Sequence, residues 1–189
     1  MRSLYEAFEK SASGPLYWPE LSKLESDLDD VASGKLFPVS FNFPAFFVAQ
    51  INTTYWSSMM AVHHEIMYSY NKLTALELPK SPDSKAGSPQ ATSAETGDGL
   101  ALSYQARALQ HDAIWKAMIW NVCQSVEYHL QDKMGWPGLA GLLPPLTGAK
   151  SCLESVHPED WSREIAFITE AMGKIVQRFN FPVTRVFEA

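Results

Sequence analysis

The sequence predicts an all-α fold of about five helices, two of them long, packed as an irregular helical bundle or array. Three observations predict it. Apolar residues recur at steps of three and four along most of the chain, no stretch alternates apolar and polar residues over a useful strand length, and proline and glycine punctuate the periodic segments. The chain has 189 residues, 46% hydrophobic and 19% charged, which is the makeup of one domain of ordinary size. Such a chain buries enough surface to fold without disulfides or a structural metal.

The first helix is expected over 20–33. Pro19 and Glu20 suit a helix start, Leu21, Leu24, Leu28 and Val31 hold one face, acids hold the other, and Gly34 stops it. A Pro- and Phe-rich connection follows, in which Pro38 and Pro44 turn the preceding residues away from helical geometry. A long helix then begins after Pro44. Phe47, Ile51, Tyr55, Met59, Val62, Ile66, Tyr70 and Leu73 form its apolar face, Trp56, Met60 and Met67 widen it, and Pro79 ends it.

Residues 80–99 are rich in Ser, Pro, Gly, Thr and Asp and read as a flexible linker inside a single helical domain spanning 1–189. A second long helix is expected over 100–134, with Trp115, Ile119, Val122, Val126 and Leu130 on one side and Gly135, Trp136 and Pro137 as its break. Pro144 and Pro145 interrupt the apolar run after it, so a loop or short helix is expected there, then a helix over 146–156. The last helix has the clearest signal. His157, Pro158, Glu159 and Asp160 make its start, and Trp161, Ile165, Ile168, Met172, Ile175 and Phe179 step by four and three in turn.

Charge and composition exclude several function classes. Fifteen Lys and Arg stand against 21 Asp and Glu, and no stretch gathers the cations that would neutralise several phosphates, so no direct nucleic-acid contact is expected. The densest apolar run, 41–51, is interrupted by Asn42, Pro44 and Gln50 and falls short of a membrane span. Cys123 and Cys152 form no CxxC pair, and the first ten residues lack the apolar stretch of a signal peptide, so an intracellular protein with reduced thiols is expected. Six Trp, seven Tyr and ten Phe exceed what a core of this size needs. Most are expected to fill the core, with some left for a groove or a partner surface.

No catalytic set is complete. Asp27-Leu28-Asp29-Asp30 has the spelling of a terpene-cyclase acid motif, but that chemistry needs an acid sunk in an apolar cavity. A solvated helix face accounts for these acids, and Val31 and Ala32 spoil a calcium loop. His63-His64-Glu65 lacks the second histidine of HExxH, since Tyr68 stands there, and Glu127 and His129 are two residues apart, not the three a di-iron motif needs. Cys123 has Glu127 one turn away and no histidine base, so it reads as a small buried hydrophobe. Lys174 and Arg178 suit the negative pole of the last helix. His64, His111-Asp112 and Asp160 reproduce the residue order of an HD-type metal-dependent phosphohydrolase, which is the enzymatic alternative.

Two stretches resemble a known family. Residues 17–56 contain YWPELSKLESDL, GKLFPVSFNFP and a following YW; residues 119–178 contain IWNVCQSVEYHLQDKMG and SREIAFITEAMGKI, with the run from Asn121 to Gln131 the most specific part. Together they resemble the C-terminal region of fungal zinc-cluster transcription factors. In that family a six-cysteine binuclear zinc cluster binds DNA, and the helical region behind it regulates activity and contacts partners. The two cysteines here cannot hold two zinc ions. The resemblance therefore implies a non-enzymatic transcriptional regulator or coregulator without catalytic, cofactor-binding or metal-ligating residues. It would act in the nucleus through protein partners, above all a DNA-bound transcription factor, with room for a small ligand and with secondary-metabolite genes as its target. A helical scaffold in a biosynthetic complex is the third reading. No basic cluster explains nuclear import, and a chain of 21.1 kDa would enter by diffusion or with its partner.

Overall fold

A computed structural model describes residues 6–7, 9–10, 14–30, 32, 34–77, 94–156 and 158–179. Val31, Pro79, His157, residues 80–93 of the expected linker and the Phe179 side chain lie outside the described residues. The chain is mostly helical, and four helices, not five, exceed ten residues among those described. They are α1 (Phe46–Glu77), α2 (Ala94–Gln124), α4 (Gly135–Ser155) and α5 (Ser162–Phe179), with a single turn, α3 (Val126–His129), between α2 and α4. A small hairpin precedes them. Its strands β1 (Trp18–Leu21) and β2 (Val39–Asn42) pair antiparallel, Trp18 opposite Asn42 and Leu21 opposite Val39. None of these helices is long and apolar enough to cross a membrane.

The chain divides into two compact units, Met60–Ala117 and the remainder. In the first unit, made of the two flanking segments, the described residues of the expected helix over 20–33 form strand and loop. The backbone groups there have other partners. Glu20 and Leu21 belong to the ladder with β2, the Ser22 N–H donates to the Pro38 carbonyl at 2.9 Å, and those of Lys23 and Leu24 donate to the Glu127 carboxylate at 2.9 and 3.2 Å. Ser26, Asp29 and Asp30 then bond to nearby backbone N–H groups, the competition that keeps such residues out of helix interiors. Leu21, which would start the apolar face, is 80% exposed. Gly34 at φ +73° closes a bridge with Asp30, a left-handed position that suits glycine.

The strands escaped sequence reading because each has four residues and β1 carries Pro19, tolerable only because both strands are edges. A lone hairpin is marginal in water. Aromatic packing supports this one: Tyr17 meets Phe41 at 4.7 Å and the Trp56 edge at 5.3 Å between ring centroids, and Phe43 meets Tyr128 at 4.9 Å.

Helix α1 forms where expected, but its buried face is centred on Trp56, Met60 and Met67, expected only to widen it. Ala49, Asn52, Thr53, Trp56, Met60 and Met67 are buried, while Phe47 is 67% exposed. Asn52 and Thr53 enter the core because their side chains donate to the carbonyls of Val48 and Ala49 one turn back, at 2.8 and 3.0 Å. Polarity satisfied within the helix needs no water.

Helix α2 begins at Ala94, so the last residues of the expected linker carry helical backbone; extending a formed helix adds a hydrogen bond per residue without a new nucleation cost. The expected helix over 100–134 stops at Gln124 and resumes for one turn as α3, after Ser125 Oγ bonds back to the Val122 carbonyl at 2.7 Å. Gly135, at φ +52°, stands at the junction where α4 begins. This helix passes through Pro144 and Pro145, so the loop or short helix and the following helix expected over 146–156 are one continuous element. Pro145 lacks the N–H that would reach the Gly141 carbonyl, and Gln50 Nε2 lies 3.5 Å from that oxygen. The α4 residues Leu139, Leu142, Leu146, Ala149 and Leu153 are buried, as are Phe167, Ile168, Ala171, Met172 and Ile175 of α5, and the two helices pack together. Pro158–Trp161 forms a 3₁₀ turn ahead of α5, so the last helix starts at Ser162, with Ile168, Met172 and Ile175 inward as the spacing predicts.

The second unit contains residues 60–77 of α1 and 94–117 of α2. Here Met60, His63, Met67, Tyr70 and Thr74 recur at steps of three and four, as do Tyr104, Ala108, His111 and Trp115. Their pairing is antiparallel, since His63 meets His111 and Tyr70 meets Tyr104.

Candidate functional site

In the first unit a groove of about 640 Å³ opens between the loop at Lys23, Leu24 and Glu25, the α3 region at Glu127, Leu130 and Gln131, and α5 at Lys174, Gln177 and Arg178. Glu127 organises its floor. One carboxylate oxygen, Oε2, accepts from Ser22 Oγ at 2.9 Å as well as from the Lys23 and Leu24 N–H groups. Charge-assisted bonds of this kind are roughly twice as strong as neutral ones, so one side chain holds the whole loop entry.

The far wall is tied in the same manner. Lys174 Nζ sits 2.6 Å from Glu170 Oε1 and donates to the Glu25 carbonyl at 2.6 Å, and Ser26 Oγ donates to Glu170 Oε2 at 2.5 Å. Burial acts to raise the Glu170 carboxyl, but the bonds from Lys174 and Ser26 outweigh it and hold the group below the usual carboxylate range. Arg178 donates to the Leu130 carbonyl and lies 3.2 Å from Asp132. Lys174 and Arg178 thus do more than complement the end of a helix: they bind loop carbonyls distant in sequence. Nothing in the local pattern signals this, because their spacing alone suits a helix terminus.

His129 is fully buried, its Nδ1 lies 3.2 Å from the Gly138 carbonyl, and its Nε2 has no hydrogen-bond partner among the described residues. Burial pushes the imidazole down to about 4, against the opposing pull of the Gly138 carbonyl. It is a neutral core group. Glu127 and His129 therefore serve different surroundings, as their two-residue spacing on a helix requires. Cys123 is buried, and burial reinforced by the Glu164 carboxylate pushes its thiol up, away from nucleophile chemistry.

The acids of Asp27-Leu28-Asp29-Asp30 lie in the loop after β1 and not on the helix face expected for them. Asp29 accepts from its own turn at Ser26 and lies 3.9 Å from Lys35 Nζ, and Asp30 accepts from the Ala32 N–H at 3.0 Å. These are turn contacts.

In the second unit His63, not His64, meets His111, with Nδ1 atoms 2.7 Å apart and rings at 4.8 Å. Tyr70 stacks on His111 at 5.9 Å and on Tyr104 at 6.0 Å, and Arg107 donates to the Tyr70 hydroxyl at 3.3 Å. His64 turns to the edge of Trp115 at 5.7 Å. Asp112 accepts from Trp115 Nε1 and from Lys116. Asp160, the fourth residue of the phosphohydrolase order, belongs to the first unit, in the turn before α5. Among the described residues no group of three or more His, Cys, Asp and Glu side chains is placed to hold a metal ion.

Compared with known proteins, the chain matches no family model, no curated protein and no solved structure.

Proposed function

We propose that this chain is a helical regulatory module that acts through protein partners in transcription, in the manner of the C-terminal region of fungal zinc-cluster factors. It works in the nucleus, joins a DNA-bound transcription factor and does no chemistry of its own; genes of secondary metabolism are the proposed target. One observation supports the reading more than any other. The sequence stretches that carry the resemblance, 17–56 and 119–178, fall within the first unit, and their polar residues bond to one another there: Glu127 to the loop at Ser22–Leu24, Lys174 to Glu25, and Glu170 to Ser26. The two stretches thus meet around one groove, which gives the proposed partner a single surface to bind.

The test is to fuse the chain to a heterologous DNA-binding domain and measure a reporter gene in a fungal host. Altered output is expected, reduced severalfold by Glu127→Ala, which frees the loop edge of the groove. Circular dichroism and thermal melting of the same variant separate loss of the surface from loss of the fold. A reporter that never responds, together with co-purification of biosynthetic enzymes in place of transcription factors, would replace this reading with that of a scaffold. Stoichiometric metal lost on replacing His111 would replace it with the phosphohydrolase.

A further inference from the structure

Within the second unit α1 carries two stripes at coiled-coil spacing, one mixed and one mostly apolar. His63, Met67, Tyr70 and Thr74 belong to the seam with α2. The other stripe runs one residue behind it: Val62, Ile66, Ser69, Leu73 and Leu76 recur at steps of four, three, four and three, the spacing of a coiled-coil seam. Val62, Leu73 and Leu76 are 51%, 40% and 79% exposed, Ser69 is exposed and Ile66 half-buried. Scattered surface apolar residues are ordinary. A seam kept in register over five positions is not scattered.

The charges beside the stripe indicate its occupant. Laid antiparallel on a copy of itself so that Ile66 meets Ser69, the stripe also brings Val62 against Leu73, and the two-fold axis repeats both layers. Glu65 and Lys72 each precede a seam residue, Ile66 and Leu73, and occupy the flanking positions that pair across such an interface. In this register Glu65 comes opposite Lys72 of the second copy, and Lys72 opposite its Glu65. Both side chains lie at the surface in replaceable contacts: Glu65 is 3.5 Å from His64 Nδ1, and Lys72 Nζ stands 4.3 Å from the Tyr68 ring centroid.

We propose that the Val62, Ile66, Ser69 and Leu73 stripe is a self-association surface on which two copies of this chain pair antiparallel, with reciprocal Glu65–Lys72 ion pairs setting the register. The proposal does not depend on the regulatory reading.

Sedimentation velocity of the full chain, from micromolar to submillimolar concentration, tests it. A reversible monomer–dimer equilibrium is expected. Glu65→Lys makes both flanking positions cationic and Lys72→Glu makes both anionic, so each variant alone should lose at least about tenfold in dimer affinity, because like charges then face each other. Mixing the two variants should restore a dimer, and so should the double swap in one chain. Equal helicity by circular dichroism shows that each variant folds. A chain that stays monomeric at every concentration overturns the proposal. So does a dimer indifferent to the charge variants, a mixture that fails to recover, or a stripe that engages only unrelated proteins.

Discussion

The two units face the same physical task, hiding one face of a long helix, and meet it with different side chains. In the first, Leu142, Leu146, Leu153, Ile168 and Ile175 are wholly excluded from water and α4 and α5 close over them. In the second, Met60, Met67, Ala108 and Trp115 are buried, but the middle of the seam is His63, Tyr70, Tyr104 and His111, all half-buried. Their polar atoms keep partners or water, so stacking and hydrogen bonds do there what close aliphatic packing does in the first unit. The contrast teaches that a three-four repeat does not specify how dry a helix contact is. The chemistry of the repeating side chains does.

Three experiments break or sharpen this contrast. The largest effect is expected from Leu142→Ala, which opens a cavity in a site without exposure and should cost about 2–5 kcal/mol. Chemical denaturation gives the magnitude, and hydrogen exchange should show α4 and α5 losing protection.

Acid should produce the next effect, through His129. Folded, the imidazole is neutral with its titration pushed down to about 4; unfolded, it takes a proton near its ordinary value of about 6.5. The unfolded chain thus binds more protons between those values. Stability from this group is fully present above about pH 6.5 and is lost as pH falls toward about 4, by roughly 3 kcal/mol in all. His129→Leu should flatten urea-denaturation stability over that window. An unchanged pH slope would show that His129 is not the group responsible.

The smallest effect belongs to the second unit. His63→Ala removes one hydrogen bond between half-buried rings and should cost about 1 kcal/mol or less. Trp115 is the one tryptophan between residues 60 and 117, so its fluorescence, isolated by replacing the others with Phe, reports that unit. A loss as large as that of Leu142→Ala would remove the distinction between the units.

The predictable parts share one trait: their backbone hydrogen bonds close within the element. Helix α5 formed with Ile168, Met172 and Ile175 inward as its spacing predicts, joined by Phe167 and Ala171, which that spacing left out, and α1 formed between Pro44 and Glu77 as proline placement implies. The segment over 20–33 had an equally regular apolar spacing, yet its described residues formed no helix, because Pro38, Glu127 and β2 took its backbone groups. The groove was legible only as a list of residues. Glu127 and Lys174 stood out for local reasons, a neighbouring cysteine and a helix end, and their bonds to the loop at 22–25 join positions more than 100 residues apart. Likewise the Asn52 and Thr53 side chains hid inside α1, where a polarity pattern places them outside.

The sequence by itself determined that this protein is built mainly of helices, that a long one follows Pro44, and that Ile168, Met172 and Ile175 of the last one turn inward. Those properties depend on local spacing, on proline geometry and on hydrogen bonds four residues apart. Only the tertiary structure decided that the segment at 18–42 is a hairpin, that α4 carries two prolines, that His63 is the histidine facing His111 and that Glu127 holds the groove. Each of these turns on which distant group reaches a backbone or ring nitrogen first, and a linear pattern carries no record of that competition.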